Sequence, residues 1–200
     1  MYAAYELAEC NLCQERLFVK RVEGVIDAPV PPNGPPNAKV VLIGRNPGKE
    51  EIRQGRSFVG PAGQQLDRML IAANLPRRLC WITNIGKCFT PSEVKPSPRC
   101  LRTCAGQWLN QELAELSLNQ ELLIVALGDE ALKYFEPEAY VGMLHGTSFF
   151  TPKPWLPSQR VEVFVSYHPS AALRSTAVKR FFLQNDAAAL KASLRERGIA

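Results

Sequence analysis

Apolar residues fall along this chain in short blocks set apart by glycines, prolines and polar turns. Val40-Val41-Leu42-Ile43 has no polar residue within it, the mark of a strand covered on both faces. It stops at Gly44-Arg45-Asn46-Pro47-Gly48, where two glycines and a proline impose a sharp turn. Three more blocks read as strands: 80–84, 122–128 with a glycine exit, and 161–166, which runs into Tyr167-His168-Pro169-Ser170. Between them the spacing turns helical. In 61–74, Pro61 suits a first turn and Leu66, Met69, Leu70 and Ala73 share one face. Further helices are expected over 98–116, 129–135 and 177–197, with an irregular region from 143. This alternation implies a mostly parallel sheet with helices on both faces. Ligands bind such sheets at the carboxyl edge. Ahead of the first core strand, a short helix over 3–9 and a short strand within 18–26 precede a proline-rich linker over 27–37.

Composition narrows the class. A chain of 200 residues, 46% of them hydrophobic, suits one domain with a core of its own. No stretch approaches the roughly 20 apolar residues of a membrane span, and the start lacks a signal peptide's basic and apolar regions. A soluble cytoplasmic protein with no membrane partner is expected. The formal charge of +5 and pI near 9 fit a polyanion partner such as DNA. Six cysteines in such a chain point to metal binding, redox chemistry or buried thiols rather than disulfides. Cys10 and Cys13, as Cys-x-x-Cys, are close enough to share one metal centre. Cys88 and either Cys100 or Cys104 complete a four-thiolate set for zinc or an iron–sulfur cluster, which ligand count alone does not separate. Cys80, inside a strand, reads as a small buried hydrophobe. Such a centre would pin the N-terminal arm, 1–26, to the loop after Asn84 and serve structure.

Several motifs then occur in one order. They are the Cys-x-x-Cys arm, Gly-x-x-Pro-Gly at 44–48, Gly-Arg-Ser-Phe-Val-Gly-Pro-Ala-Gly-Gln-Gln-Leu-Asp at 55–67 and Ile-Thr-Asn-Ile-Gly-Lys-Cys at 82–88. Ala-Leu-Gly at 126–128, Leu-His-Gly at 144–146 and His-Pro-Ser-Ala-Ala-Leu-Arg at 168–174 follow. In this the chain resembles the uracil-DNA glycosylase superfamily, and most closely its iron–sulfur-containing family 4, over residues 10 to about 186. The resemblance implies a three-layer α/β/α sandwich around a mostly parallel, four-stranded sheet. It also implies a [4Fe–4S] cluster, and its ligand spacing favours Cys104 over Cys100 beside Cys10, Cys13 and Cys88. One motif departs. Family 4 usually carries Gly-Glu-Ala-Pro-Gly or Gly-Glu-Gly-Pro-Gly, whereas Gly44-Arg45-Asn46-Pro47-Gly48 is similar to the mismatch-specific and single-strand-selective glycosylases.

The resemblance implies a monomeric repair enzyme that flips uracil, or a related base, out of DNA and hydrolyses its glycosidic bond, working at the nucleoid. His168 would donate a hydrogen bond to the pyrimidine O2 as charge develops there, and Asn46 would orient the attacking water. Phe58 would stack on the flipped base, and Asn84 would read its Watson–Crick edge, with Gly44 beside them. Glu51 would support the water or the loop. Arg45 would contact a phosphate or fill the place of the missing acid. Leu173 would wedge into the stack, with Ser170, Arg174 and His145 toward the DNA. Loss of that acid raises a second reading, a protein that binds uracil or abasic DNA with little turnover. A phosphate-cradling nucleotide hydrolase is a weak third, because the loop lacks the Lys-Ser/Thr ending of a P-loop.

Overall fold

The structure is a computed structural model that describes Leu7, residues 10–12, 29–90 and 95–199. The helix expected over 3–9, the strand within 18–26 and Cys13 therefore lie outside the described residues, apart from Leu7. Strands β1 (Val40–Gly44), β2 (Cys80–Asn84) and β3 (Leu123–Leu127) are buried at every position. That is why β1 and β3 read as unbroken apolar runs, while β2 ends in the buried polar pair Thr83 and Asn84. Val41, Ile43, Trp81, Ile124 and Ala126 face one core, closed by Leu101, Leu109, Leu113 and Leu132. Val40, Leu42, Ile82, Leu123 and Val125 face the other, closed by Leu66, Met69, Leu70, Leu190 and Leu194. Alternate residues of each strand thus serve two helix layers, as the pleat requires.

Among the described residues the sheet has five strands, not four, in the order β2-β1-β3-β5-β4. β1, β2, β3 and β5 (Leu156–Ser166) are mutually parallel, while β4 (Ser148–Lys153) pairs antiparallel with β5 at the edge. The irregular region expected from 143 contains this hairpin. Its first strand carries Pro152, tolerated because an edge strand need not donate on both sides, and Phe150 is 58% exposed. Register aligns Gly44 with Asn84 and Leu127 with Ser166. The four parallel strands consequently end at one edge. The chain leaves β1 toward β2 on one side and β3 toward β5 on the other, so a crevice opens between β1 and β3 at that edge.

The α-helices that follow β1 among the described residues are α1 (Lys49–Gln54), α2 (Pro61–Ala72), α3 (Pro98–Cys104), α4 (Asn110–Leu116), α5 (Asp129–Phe135), α6 (Val141–Leu144), α7 (Pro169–Arg174), α8 (Thr176–Arg180) and α9 (Ala187–Glu196). The stretch expected as one helix over 98–116 is α3 and α4 joined by a π-turn at Ala105–Leu109. The C-terminal stretch is likewise α8 and α9 joined by a π-turn at Phe181–Asp186. The linker does more than connect. Asn33 pairs with Ile82 of β2, and its side-chain oxygen accepts the Ser57 N–H at 2.9 Å.

Candidate active site

A cleft of about 400 Å³ opens at the carboxyl edge, lined by Arg45, Asn46, Glu51, Phe58, Asn84 and His168 among others. Each side chain arrives there by a local device. Arg45 and Asn46 follow β1 directly, and the loop is fastened to the exit of β2 by Gly86 N–H to the Arg45 carbonyl at 2.8 Å. Asn84 ends β2, is 3% exposed, and donates from Nδ2 to Ser57 Oγ at 3.3 Å. Gly44 lies behind it. A Cβ there would fall 2.5 Å from Asn84 Oδ1 and 2.6 Å from Phe58 Cζ, so only glycine lets the amide and the ring close over this strand end.

Phe58 holds a left-handed backbone, φ +55°, which an L side chain adopts at an energetic cost. The surroundings impose it. Arg77 Nη2 donates to the carbonyls of Ser57 and Phe58 at 3.0 and 2.9 Å, and Arg77 Nη1 is anchored on Asp67 at 2.7 Å. Gly63 of α2 packs so closely that a Cβ would sit 1.9 Å from the Phe58 oxygen. The Phe58 ring ends 5.9 Å, centroid to centroid, from the ring of His168.

Glu51 is the brace of this edge. Its Oε2 accepts the Gly48 N–H at 3.0 Å, and its Oε1 accepts those of Val59 and Gly60 at 3.1 and 2.9 Å. One buried carboxylate thereby ties the loop after β1 to the loop before α2.

His168 precedes α7, and its Nδ1 accepts the backbone N–H of Ser170 at 3.1 Å. An accepting Nδ1 carries no proton, so the neutral ring bears its hydrogen on Nε2 as a donor. Burial first, then the nearby Arg45 cation, pushes its pKa down to about 4, with Glu130 opposing and Arg174 assisting. The ring is neutral at physiological pH. Ser170 lines the cleft beside it. Leu173 and Arg174 stand further along α7 without lining the cleft, Leu173 being 48% exposed. His145 does not line it either. Its Nδ1 meets Asp186 Oδ1 at 2.7 Å, and its ring packs between Tyr167 and Phe181.

Two residues unmarked by the sequence reading enter here. Thr90 lines the cleft and accepts from Asn46 Nδ2 at 3.2 Å, and Glu130 meets Arg45 Nη1 at 3.4 Å. Thr90 lies in a loop without periodic pattern. Glu130 reads as an ordinary acid in the first turn of a helix.

On the far side of β2, Cys10, Cys88 and Cys104 line one small cavity with Leu7, Leu12 and Trp108, and Cys100 does not line it. Trp108 Nε1 donates to Cys10 Sγ and the Lys87 N–H to Cys104 Sγ, both at 3.3 Å. N–H donors aimed at sulfur suit thiolate ligands. Among the described residues no three Cys, His, Asp or Glu side chains form a ready metal shell, and Cys13 lies outside them. Cys80 is buried in β2 with its thiol pKa pushed up to about 12 by that burial, which keeps it a neutral, inert filler.

The sequence profile of the Uracil DNA glycosylase superfamily matches residues 31–190. The chain belongs to this superfamily. A type-4 uracil-DNA glycosylase of Thermotoga maritima is 31% identical over 195 residues, covering 92% of this chain and 94% of that protein. A type-4 enzyme of Archaeoglobus fulgidus is 33% identical over 149 residues, 72% of this chain and 71% of that protein. A type-5 uracil-DNA glycosylase of Pyrobaculum aerophilum is 30% identical over 158 residues, 71% and 66%. The matched span of this superfamily member contains both strand exits, the Phe58 loop and His168. Among the described residues no helix is long and apolar enough to cross a membrane.

Proposed function

We propose that this chain hydrolyses the N-glycosidic bond of uracil, or of a closely related base, in DNA and leaves an abasic site. The observation that carries the reading is the convergence on one cleft of an aromatic face, an amide edge, a neutral imidazole N–H and a second amide. A base in the stack is out of reach, so the nucleotide is extruded into the cleft. Phe58 offers its face for stacking. Asn84, with one amide hydrogen on Ser57, has its second N–H and its oxygen for the Watson–Crick edge of uracil. As the C1′–N1 bond breaks, its electron pair passes to the pyrimidine, and the His168 Nε2–H meets the charge growing on O2. A neutral donor suits this task because it stabilises the anion without having to give up a proton. Asn46 orients a water through Oδ1. The water's oxygen bonds to C1′, and the proton the water loses neutralises the departing uracil anion.

Glu51, by its three N–H contacts, serves as the brace of both loops rather than as a participant in chemistry. Gly44 keeps Asn84 and Phe58 in register. Ser170, Leu173 and Arg174 of α7, with His145, make up the DNA-facing side, Leu173 filling the gap left by the extruded base. Lys87 is withdrawn from chemistry. Its Nζ is buried on Glu112, Thr83 and the Asn84 carbonyl. We assign Cys10, Cys13, Cys88 and Cys104 to a [4Fe–4S] cluster, supported by the three described thiols on one cavity and their N–H donors. The cluster would supply a structural clamp and no step of the hydrolysis. The protein would act as a monomer in the cytoplasm, on DNA of the nucleoid.

One observation favours the alternative of a uracil- or abasic-DNA-binding protein with little turnover: Arg45 stands where the family motif carries an acid. A labelled oligonucleotide with one deoxyuridine, single-stranded or opposite A or G, treated with excess protein and then hot alkali, separates the two. Strand breakage only after alkali supports hydrolysis by a monofunctional glycosylase. A gel shift with intact strands supports the binding protein.

A further inference from the structure

The Asn46 amide is held at both ends, and the contacts fix which way it faces. Its Nδ2 donates to the Pro47 carbonyl and to Thr90 Oγ1, both at 3.2 Å, and its Oδ1 accepts from Arg45 Nε at 2.8 Å. The flipped amide would set Nδ2 against the Arg45 donor and Oδ1 against the Pro47 carbonyl, replacing two attractive contacts with two repulsive ones. Both amide hydrogens are spent, and Arg45 takes one of the two lone pairs that an amide oxygen carries. The second lone pair is the one a water takes. Arg45 is held in turn by Glu130, 85 positions away, across the crevice between the exits of β1 and β3.

We propose that Arg45, Thr90 and Glu130 are positioning residues that act through Asn46, locking its amide so that one lone pair of Oδ1 is offered to the attacking water. This deepens the reading of Asn46 as the water-orienting residue and rests on it. It gives Arg45 and Asn46 a joint reason to stand side by side. A water-orienting amide in a loop needs a donor to define its oxygen end, and Arg45 supplies a charged one. The acceptor-only Pro47 carbonyl defines the nitrogen end, and Thr90 Oγ1 takes the second N–H and anchors it there. Glu130 does least, because its pair with Arg45 is long and both side chains are more than a third open to solvent.

The test separates rate from affinity. Single-turnover excision at saturating protein gives the rate on a deoxyuridine duplex. Titration of the same duplex carrying 2′-fluoro-deoxyuridine, which resists cleavage, gives Kd. Thr90→Val, matched in shape, is expected to slow the saturated rate about 3–10-fold, the worth of one neutral hydrogen bond, with Kd changed less than twofold. Thr90→Ser restores the rate. Arg45→Met is expected to slow it about 10-fold or more, since the lost bond is charge-assisted. In an Asn46→Ala background both substitutions should have no further effect, because they act only through that amide.

Equal losses in both backgrounds would overturn the proposal. So would an Arg45→Met protein with the wild-type saturated rate, a weaker Kd and a salt slope lower by about one, the signature of a phosphate contact. A faster Arg45→Met protein would show that Arg45 obstructs the amide rather than orients it. If Asn46→Ala is slow while Thr90→Val and Arg45→Met are as fast as wild type, the positioning role alone fails. If Asn46→Ala itself excises at the wild-type rate, the water-orienting reading fails and this proposal with it.

Discussion

Removing the Glu51 carboxylate tests how the cleft is held together. In Glu51→Ala the N–H groups of Gly48, Val59 and Gly60 lose an acceptor at 2.9–3.1 Å. Hydrogen bonds to a charged acceptor contribute about 1.5–3 kcal/mol each. The full set is not forfeited, because Gly48 and Val59 are only partly buried and water replaces some of what is lost. A destabilisation of about 3–5 kcal/mol is expected, at the upper end for a single substitution. With a urea m-value of about 2 kcal/mol/M, the unfolding midpoint falls by about 1.5–2.5 M. Glu51→Gln keeps an oxygen for Val59 and Gly60 but turns an NH2 group onto the Gly48 N–H. It should cost about 1–3 kcal/mol and retain excision by the protein that remains folded. An Ala variant that unfolds at the wild-type midpoint would refute the brace. So would a Gln variant of wild-type stability that no longer excises, since that result puts the carboxylate in the chemistry.

Gly63→Ala should destabilise by about 1–3 kcal/mol and slow excision, because the new Cβ meets backbone atoms of Phe58 that cannot rotate away; thermal melting and single-turnover assays check both. His168 titrates near 4 in the fold and near 6.5 when unfolded, so the unfolded chain binds the extra proton between those values. Stability should therefore fall as pH drops from about 6.5 to 4, by at most about 3 kcal/mol, and His168→Asn should flatten that slope in urea titrations across this range. For the cysteine site, the purified protein should be brown and absorb near 400 nm, and Cys104→Ser should lose the colour and lower the melting temperature while Cys100→Ser keeps both. A colourless protein containing zinc would contradict the cluster.

The central strands were legible because each is buried on both faces, which leaves nothing but apolar residues in Val40–Gly44 or Leu123–Leu127. The outer part of the edge hairpin was not. Half of β4 faces solvent, Pro152 interrupts it, and Leu156–Arg160 of β5 is exposed, so only Val161–Ser166 of the hairpin shows as a strand in the sequence. The same division runs through the site. Asn46 and His168 stand at strand exits beside a proline, and Asn84 at another, two residues before Gly86, where local sequence announces a turn at the ligand edge. The residues that hold them are joined by contacts of long sequence separation: Arg77 to Phe58 over 19 positions, Asn46 to Thr90 over 44. No periodicity records such pairs. Glu51 is intermediate. The family resemblance implied that it supports the water or the loop, but its bonds to Val59 and Gly60 come from folding alone.

The most direct test of the hydrolysis at this cleft is the release of free uracil, followed by mass spectrometry, from a single-deoxyuridine duplex under excess wild-type or His168→Ala protein. The wild-type chain should release one uracil per duplex. Release should be slowed about 100-fold or more in His168→Ala, the scale of losing one donor to a developing anion, with DNA affinity retained. No uracil from the wild-type chain, or equal rates from the two proteins, would contradict it.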